Sequence, residues 1–409
     1  MKTGRLARLA DFFALKRSMA AMLAMVVLVG VGEEMAERFL PIYTLALGGG
    51  ILAVGFLNAM DNLLSALYSF PGGYLSDRLG AKRALALFNL IAMGGYLIVI
   101  LLPFWPAVIV GSVFFLSWSA LSMPATMSLV AKVLPSNKRT MGVSLHSLVR
   151  RLPKALGPLL GGVMIVLFGE RTGVRISFGI ALVLAVVALA LQQALIEDDP
   201  PARQPAEKNP LRLWKRMAPE LKKLLLSDIL ARFAEQIPYA FVVIWCMKNN
   251  QLSAVQFGVL TAVEMITAML IYVPVAYLAD RGAKKPFVVI TFFNFALFPL
   301  ILLFSRSFAV MLVAFVIRGL KEFGEPTRKA LIMDLAPEDQ KAGMFGLYYL
   351  MRDVIVSLAA FGGALLWLVS PAANFLTAFA CGLLGAIYFL IYGRDLPAIP
   401  RAIPTLSRR

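Results

Sequence analysis

Arg318, Lys321, Glu322, Glu325 and Lys329 recur at short helical spacings inside an otherwise apolar segment, 308–335. At about 100° per residue all of them fall on one helical face, with Arg328 at its edge. The segment is long enough to cross a bilayer, where each charge costs a few kcal/mol unless it faces protein or water. The chemistry open to such a stripe is electrostatic: binding a polar solute, exchanging protons, or pairing internally. Arg318–Glu322, Lys321–Glu325 and Glu325–Lys329 are i,i+4 pairs, and charges so paired can simply lock helices together.

Further polar and ionisable residues sit inside other apolar runs. One run holds Glu33, Glu34, Glu37 and Arg38, and the next holds Asp61. Later runs hold Arg150, Arg151 and Lys154; Arg232, Glu235, Gln236 and Tyr239; Glu264; and Tyr348, Arg352 and Asp353. The forked guanidiniums of Arg150 and Arg352 suit bidentate capture of a carboxylate or phosphate, unless Asp353, Glu322 or Glu325 occupies them. Arg318, Lys321, Glu322, Glu37, Glu235, Gln236 and Tyr239 complete the expected substrate-binding set. Glu34, Asp61, Glu264 and Glu325 are the expected proton-binding carboxylates, Asp61 and Glu264 having the fewest cations nearby in sequence. His146, the sole histidine, reads as a packing residue rather than a proton relay.

The elements that must position these groups are membrane helices. The chain is 60% hydrophobic with a mean hydropathy of +0.79, more apolar surface than a water-soluble domain hides. Twelve apolar runs lie near 18–47, 51–76, 83–103, 105–134, 140–168, 173–195, 223–247, 252–279, 285–305, 308–335, 341–369 and 372–393; they are termed spans 1 to 12. The expected organisation is a basic N-terminus (1–17), a six-helix bundle (18–195), a linker (196–222), a second six-helix bundle (223–393) and a tail (394–409). Prolines make the early linker flexible, and Leu211, Leu213, Trp214 and Met217 among basic residues suit a helix on the membrane surface. Basic residues gather at both termini, at Arg78/Lys82/Arg83, Lys138/Arg139 and Arg281/Lys284/Lys285, and in the linker, which places both termini in the cytoplasm. The net charge of +17 therefore reads as topology and not as nucleic-acid binding. Two cysteines and one histidine argue against a disulfide framework, a metal site or another cofactor.

The two halves repeat. Pro71, Tyr74, Asp77 and Arg78 match Pro274, Tyr277, Asp280 and Arg281 at an offset of 203, which also lays Asp61 on Glu264. Pro124, Pro135 and Arg150 match Pro326, Pro337 and Arg352 at an offset of 202. Parallel six-helix repeats are a transporter architecture. Spans 3, 6, 9 and 12 have no ionisable residue in their apolar cores, as lipid-facing helices should. Span 4 keeps its proline yet carries Leu116, Ser119, Ala120, Met123, Thr126 and Met127 where span 10 has charges, so the charges of span 10 are not required to build such a helix.

The run Gly73-Tyr-Leu-Ser-Asp77-Arg78-Leu-Gly80-Ala-Lys82-Arg83, with its weaker copy at 276–285, resembles the loop signature of the major facilitator superfamily. The resemblance covers nearly the whole chain. It implies an all-α membrane protein of twelve helices in two six-helix bundles, with spans 1, 4, 7 and 10 lining a central cavity. It also implies a gating role for Asp77 and Arg78, and for Asp280 and Arg281 in the copy. Gly157-Pro158-Leu-Leu-Gly161-Gly162 resembles the second half of the superfamily's antiporter signature, which favours export and adds Gly157 and Pro158 to the gating set. The family's signature arginine of span 4 is replaced by Ser112, a departure from the proton relay of its drug exporters.

The expected function is secondary active transport of a small polar solute, anionic or zwitterionic, by a monomeric, proton-coupled carrier of the cytoplasmic membrane. No GxxxxGK[ST] loop supplies ATP chemistry and no nucleophile–base pair indicates an enzyme. Uptake by proton symport, lipid or lysolipid flipping, and a non-transporting receptor are the alternatives.

Overall fold

A backbone buried in hydrocarbon must satisfy its own hydrogen bonds, and helices do so within one segment. The computed structural model describes residues 17–116, 118, 122, 126, 149–196, 214–279, 283–336 and 341–394. All regular structure among them is helical. Among the described residues, eight helices are long and apolar enough to cross a membrane. One of these, Arg151–Leu195, is spans 5 and 6 read through a break at Gly169. Gly169 has φ 78°, a left-handed conformation that glycine adopts without steric cost, and the chain reverses there.

Among the described residues, three spans are interrupted within the bundle. Span 1 is Arg17–Glu37 followed by Leu40–Ala46. Span 7 is Pro219–Gln236 followed by Tyr239–Ile244, which ends in a π-helical turn at Trp245–Asn249. Span 10 is Phe308–Leu320 followed by Glu325–Leu335. A proline stands at or just after each break: Pro41, Pro238 and Pro326. Proline has no N–H to give a preceding turn but suits the first turn of a new helix. The freed carbonyls find asparagine partners. Asn58 donates to Gln236 O at 3.0 Å, Asn374 to Ile237 O at 3.2 Å and Asn294 to Leu320 O at 3.1 Å.

The other spans are less interrupted: Ile51–Leu79, Ala81–Leu101, Ala254–Ala279, Lys285–Phe304, Lys341–Val369 and Pro371–Tyr392. Span 4 is described as a helix over Trp105–Phe115. Spans 3, 6, 9 and 12 present large exposed apolar side chains, among them Leu97, Val183, Phe304 and Leu384, as a lipid-facing position requires.

The halves meet most closely at the end of the bundle away from the linker. A Cβ added to Gly55 would lie 2.3 Å from the Cβ of Ala364, one on Gly162 2.6 Å from Ala254 O, and one on Gly258 2.6 Å from Pro158 O. Not even a methyl group fits between spans 2 and 11 or spans 5 and 8 at these points. One apolar core continues across both halves there, through Phe39, Phe257 and Phe315, while a second is confined to the C-terminal half around Leu224, Phe292 and Tyr348.

Candidate functional site

The helix breaks sit where the charges are. Glu37 ends the first helix of span 1, Gln236 ends that of span 7, and Lys321–Gly324 is the turn between the two helices of span 10. That turn changes which side chains meet. Continuous helix would place Glu322 one turn below Arg318 and Glu325 one turn below Lys321. Among the described residues neither of these pairs forms, whereas Glu325–Lys329, wholly within the second helix, does at 3.4 Å.

In the C-terminal half the charges close on one another. Lys321 bridges Glu235 at 2.6 Å and Glu264 at 3.1 Å, and Arg318 reaches Glu264 at 3.3 Å. Arg232 holds the other oxygen of Glu235 at 2.7 Å and touches Glu325 at 3.4 Å. Arg328 grips Glu325 through Nη2 at 2.7 and 2.8 Å and through Nε at 3.1 Å, and bonds Asp228 closely. Arg352 lies between Asp353 at 2.7 Å and Asp228 at 3.6 Å and stacks on the Tyr349 ring, while the Tyr348 hydroxyl donates to Asp228 at 3.0 Å. Arg318 adds aromatic faces, 4.8 Å from the Phe298 ring centre and 5.6 Å from that of Phe315. Such cation–π contacts favour a desolvated guanidinium.

The N-terminal half is arranged differently. Arg38 donates to the Tyr239 hydroxyl at 2.7 Å across the halves and sits 3.4 Å from Glu34, which Lys154 approaches at 3.9 Å. Arg151 crosses to Glu322 at 2.9 Å. Asn62 donates to the side-chain oxygen of Gln236 at 3.2 Å. Among the described residues Glu37 and Asp61 have no salt-bridge partner.

Between the halves lies a cavity of about 360 Å³, within the range of small-molecule sites. Seven basic side chains line it (Arg38, Arg150, Arg151, Lys154, Arg232, Lys321 and Lys329) against five carboxylates (Asp61, Glu235, Glu264, Glu322 and Glu325). Gln236 and Tyr239 complete the polar wall.

Of the residues expected to bind substrate, the cavity gathers Arg150, Lys321, Glu322, Glu235, Gln236 and Tyr239. Glu37 and Arg318 line a smaller adjoining space with Asp61. Arg352 is not in the cavity wall and is engaged by Asp228 and Asp353. The expected proton sites divide. Asp61 faces the cavity, whereas Glu264, Glu325 and Glu34 are each held by cations. Gly157 and Pro158 lie where span 5 packs on spans 1 and 8: a Cβ on Gly157 would meet Glu34 at 2.5 Å. Asp77 and Arg78 belong to the helix Ile51–Leu79, but their side chains lie outside the described part, as do Asp280, Arg281 and His146 entirely. Of the linker helix expected around Leu211–Met217, only Trp214 onward is described, with Lys222 over the Trp214 ring at 5.0 Å.

Sequence reasoning passed over Asp228, the fully buried carboxylate on which Arg328, Arg232 and Arg352 converge. The available signal was its position one turn before Arg232 on an apolar run.

Comparison with known proteins places this architecture. The family model of the Major Facilitator Superfamily matches residues 19–228 and 224–407. The chain belongs to the Major Facilitator Superfamily. An uncharacterised MFS-type transporter of Methanocaldococcus jannaschii is 21% identical over 357 residues, 85% of this chain and 87% of the relative. Another, from Bacillus subtilis, is 23% identical over 198 residues, 48% of this chain and 47% of the relative. Among solved structures, a POT family transporter in complex with 5-aminolevulinic acid superposes with a TM-score of 0.76 at 14% identity, covering 92% of this chain and 95% of that one. A point mutant of the nucleoside transporter NupG gives 0.77 at 12% identity, covering 92% and 100%. The human organic anion transporter MFSD10 gives 0.68 at 16%, covering 91% and 98%. At such identities the likeness is one of fold: this major facilitator has the twelve-helix, two-bundle architecture, and it is a multi-pass membrane transporter of the MFS type.

Proposed function

We propose that this major facilitator carries a small organic solute bearing a negative charge, anionic or zwitterionic, across the cytoplasmic membrane by alternating access. It acts as a monomer, is coupled to protons, and exports. The observation that carries this reading is the excess of cations around the cavity, seven basic side chains against five carboxylates. On the C-terminal side Glu235, Glu264 and Glu325 are each matched by fixed cations. On the N-terminal side Arg150, Arg151 and Lys154 lie within one turn or so of span 5 and face the same cavity, Arg151 with Glu322 and Lys154 3.9 Å from Glu34. A solute's carboxylate or phosphate balances the chamber's surplus, and a guanidinium fork binds it directionally.

Asp61 is the proposed proton carrier. It lines the cavity beside Arg38 without a salt bridge among the described residues, so solute and proton compete for one electrostatic environment. Glu264, its repeat-related counterpart, is already tied to Arg318 and Lys321. Export rests on the Gly157–Gly162 run, whose glycines seat span 5 against spans 1 and 8 as the antiporter signature would.

The test is flux in proteoliposomes, after a thermal-shift screen of metabolite classes has supplied a solute. An imposed pH gradient is expected to drive net transport in the native protein. Asp61→Asn is expected to retain solute exchange but lose the response to the gradient. Native flux indifferent to the gradient would overturn proton coupling, and a screen answered only by cations would overturn the anionic reading.

A further inference from the structure

The charged chamber has a more apolar annex. A second space of about 50 Å³ shares Arg38, Asp61 and Tyr239 with the chamber. Its remaining wall is mostly apolar, with Leu40, Val54, Leu57, Leu116, Val243 and Phe257 drawn from both halves, and Glu37, Asn58 and Arg318 as its polar members. The volume exceeds what a single water needs, and most of the wall is apolar side chain that gains from contact with carbon.

The join between the two spaces is polar and ordered. Arg38 donates to the Tyr239 hydroxyl at 2.7 Å and lies over the same ring at 5.3 Å, and Arg318 lies 5.6 Å from that ring. Beyond this neck the chamber presents Arg150, Arg151 and Lys154 on one wall, with Glu322 already on Arg151 and Lys329 opposite. A wholly hydrophilic solute would leave the apolar part of the annex wall against water, and a wholly apolar one would strand the cations. One molecule uses both spaces only if it has two ends.

We propose that the solute is an amphiphilic anion: an anionic head held by the span 5 cations, and a short aliphatic or ring substituent passed beside Tyr239 into the annex. This rests on the anionic reading of the chamber and adds the apolar end. Selectivity then lies in the annex, because its size limits the tail whereas the head group is recognised by charge.

The probes are methyl-, propyl- and pentylphosphonate, identical in head group and graded in tail, titrated against the full-length protein in nanodiscs by calorimetry. Affinity is expected to rise about fifteen-fold from methyl to propyl, the gain for burying two methylenes, and to stop rising at pentyl. Leu57→Trp fills the annex and is expected to bring propylphosphonate down to the affinity of methylphosphonate; Val243→Phe does the same from the other half should the first variant fail to fold. Equal affinity across the series, with methylphosphonate binding still weakened by Lys154→Gln, overturns the amphiphilic proposal and leaves the anionic chamber standing. An affinity that keeps climbing through pentyl overturns the size limit, and with it the annex as the tail site. Failure of every phosphonate, with binding of a matching alkyltrimethylammonium series, overturns both readings.

Discussion

Replacing Glu322 with glutamine should release the two halves from one another near the linker side of the cavity. Glu322 accepts from Arg151 at 2.9 Å, and the two side chains are 21% and 14% exposed. The pair is shielded enough to escape most of the discount that applies to surface ion pairs. A hydrogen bond to a charged group at such a site contributes roughly 1.5–3 kcal/mol net. If the bridge exists only while the halves are in the arrangement seen here, its loss shifts the balance between arrangements by roughly 10- to 150-fold. Double electron–electron resonance between spin labels at the linker-side ends of spans 5 and 10 measures that balance. The native protein should give predominantly one distance, and Glu322→Gln should populate a second. A charge-reversed pair, Arg151→Glu with Glu322→Arg, should restore the native distribution. Distances unchanged in Glu322→Gln would refute the reasoning, because a bridge whose loss moves nothing does not hold the halves.

Arg328→Gln should cost about 3–5 kcal/mol, since it strips a buried cation from Asp228 and Glu325 and leaves both carboxylates without it. A large drop in the melting temperature of detergent-solubilised protein, partly recovered by adding Asp228→Asn, checks this. Gly161→Val should prevent correct assembly, because even a Cβ there would lie 2.0 Å from Met35 O, whereas Gly346→Ala meets nothing within 4 Å and should leave the protein as stable or up to about 1 kcal/mol more so; yield and monodispersity of the purified protein distinguish the two. The repeat-related arginines should separate: Arg150→Gln should weaken solute binding, and Arg352→Gln should lower the melting temperature by loosening Asp228, with solute affinity intact.

Much of the candidate site was legible because charge in hydrocarbon must be explained. Arg318, Lys321, Glu235 and Glu264 were identifiable one by one, as ionisable residues at helical spacing in apolar runs. Their partners were not. The pairs that matter join residues far apart in the chain, 57 residues for Lys321–Glu264 and 171 for Arg151–Glu322. The local pairs that helical spacing offered, Arg318–Glu322 and Lys321–Glu325, are undone by the turn at Lys321–Gly324. Asp228 escaped notice for a related reason: its role is set by three arginines from spans 7, 10 and 11, and only packing brings them together.

By itself, then, the sequence determined a helical membrane protein with an internal repeat, and it marked which spans face inward. Apolar length, the obligation of the backbone to bond to itself, and the cost of stray charge leave few other outcomes. Tertiary structure decided what each charge does. Arg150 and Arg352 are equivalent by repeat, yet one lines the cavity and the other is bound to Asp353 and Asp228. Asp61 and Glu264 are likewise equivalent, yet only Glu264 is held by Arg318 and Lys321. Electrostatic roles depend on separations of a few ångströms, and those are fixed by where the broken helices turn and how closely their glycines let them pack.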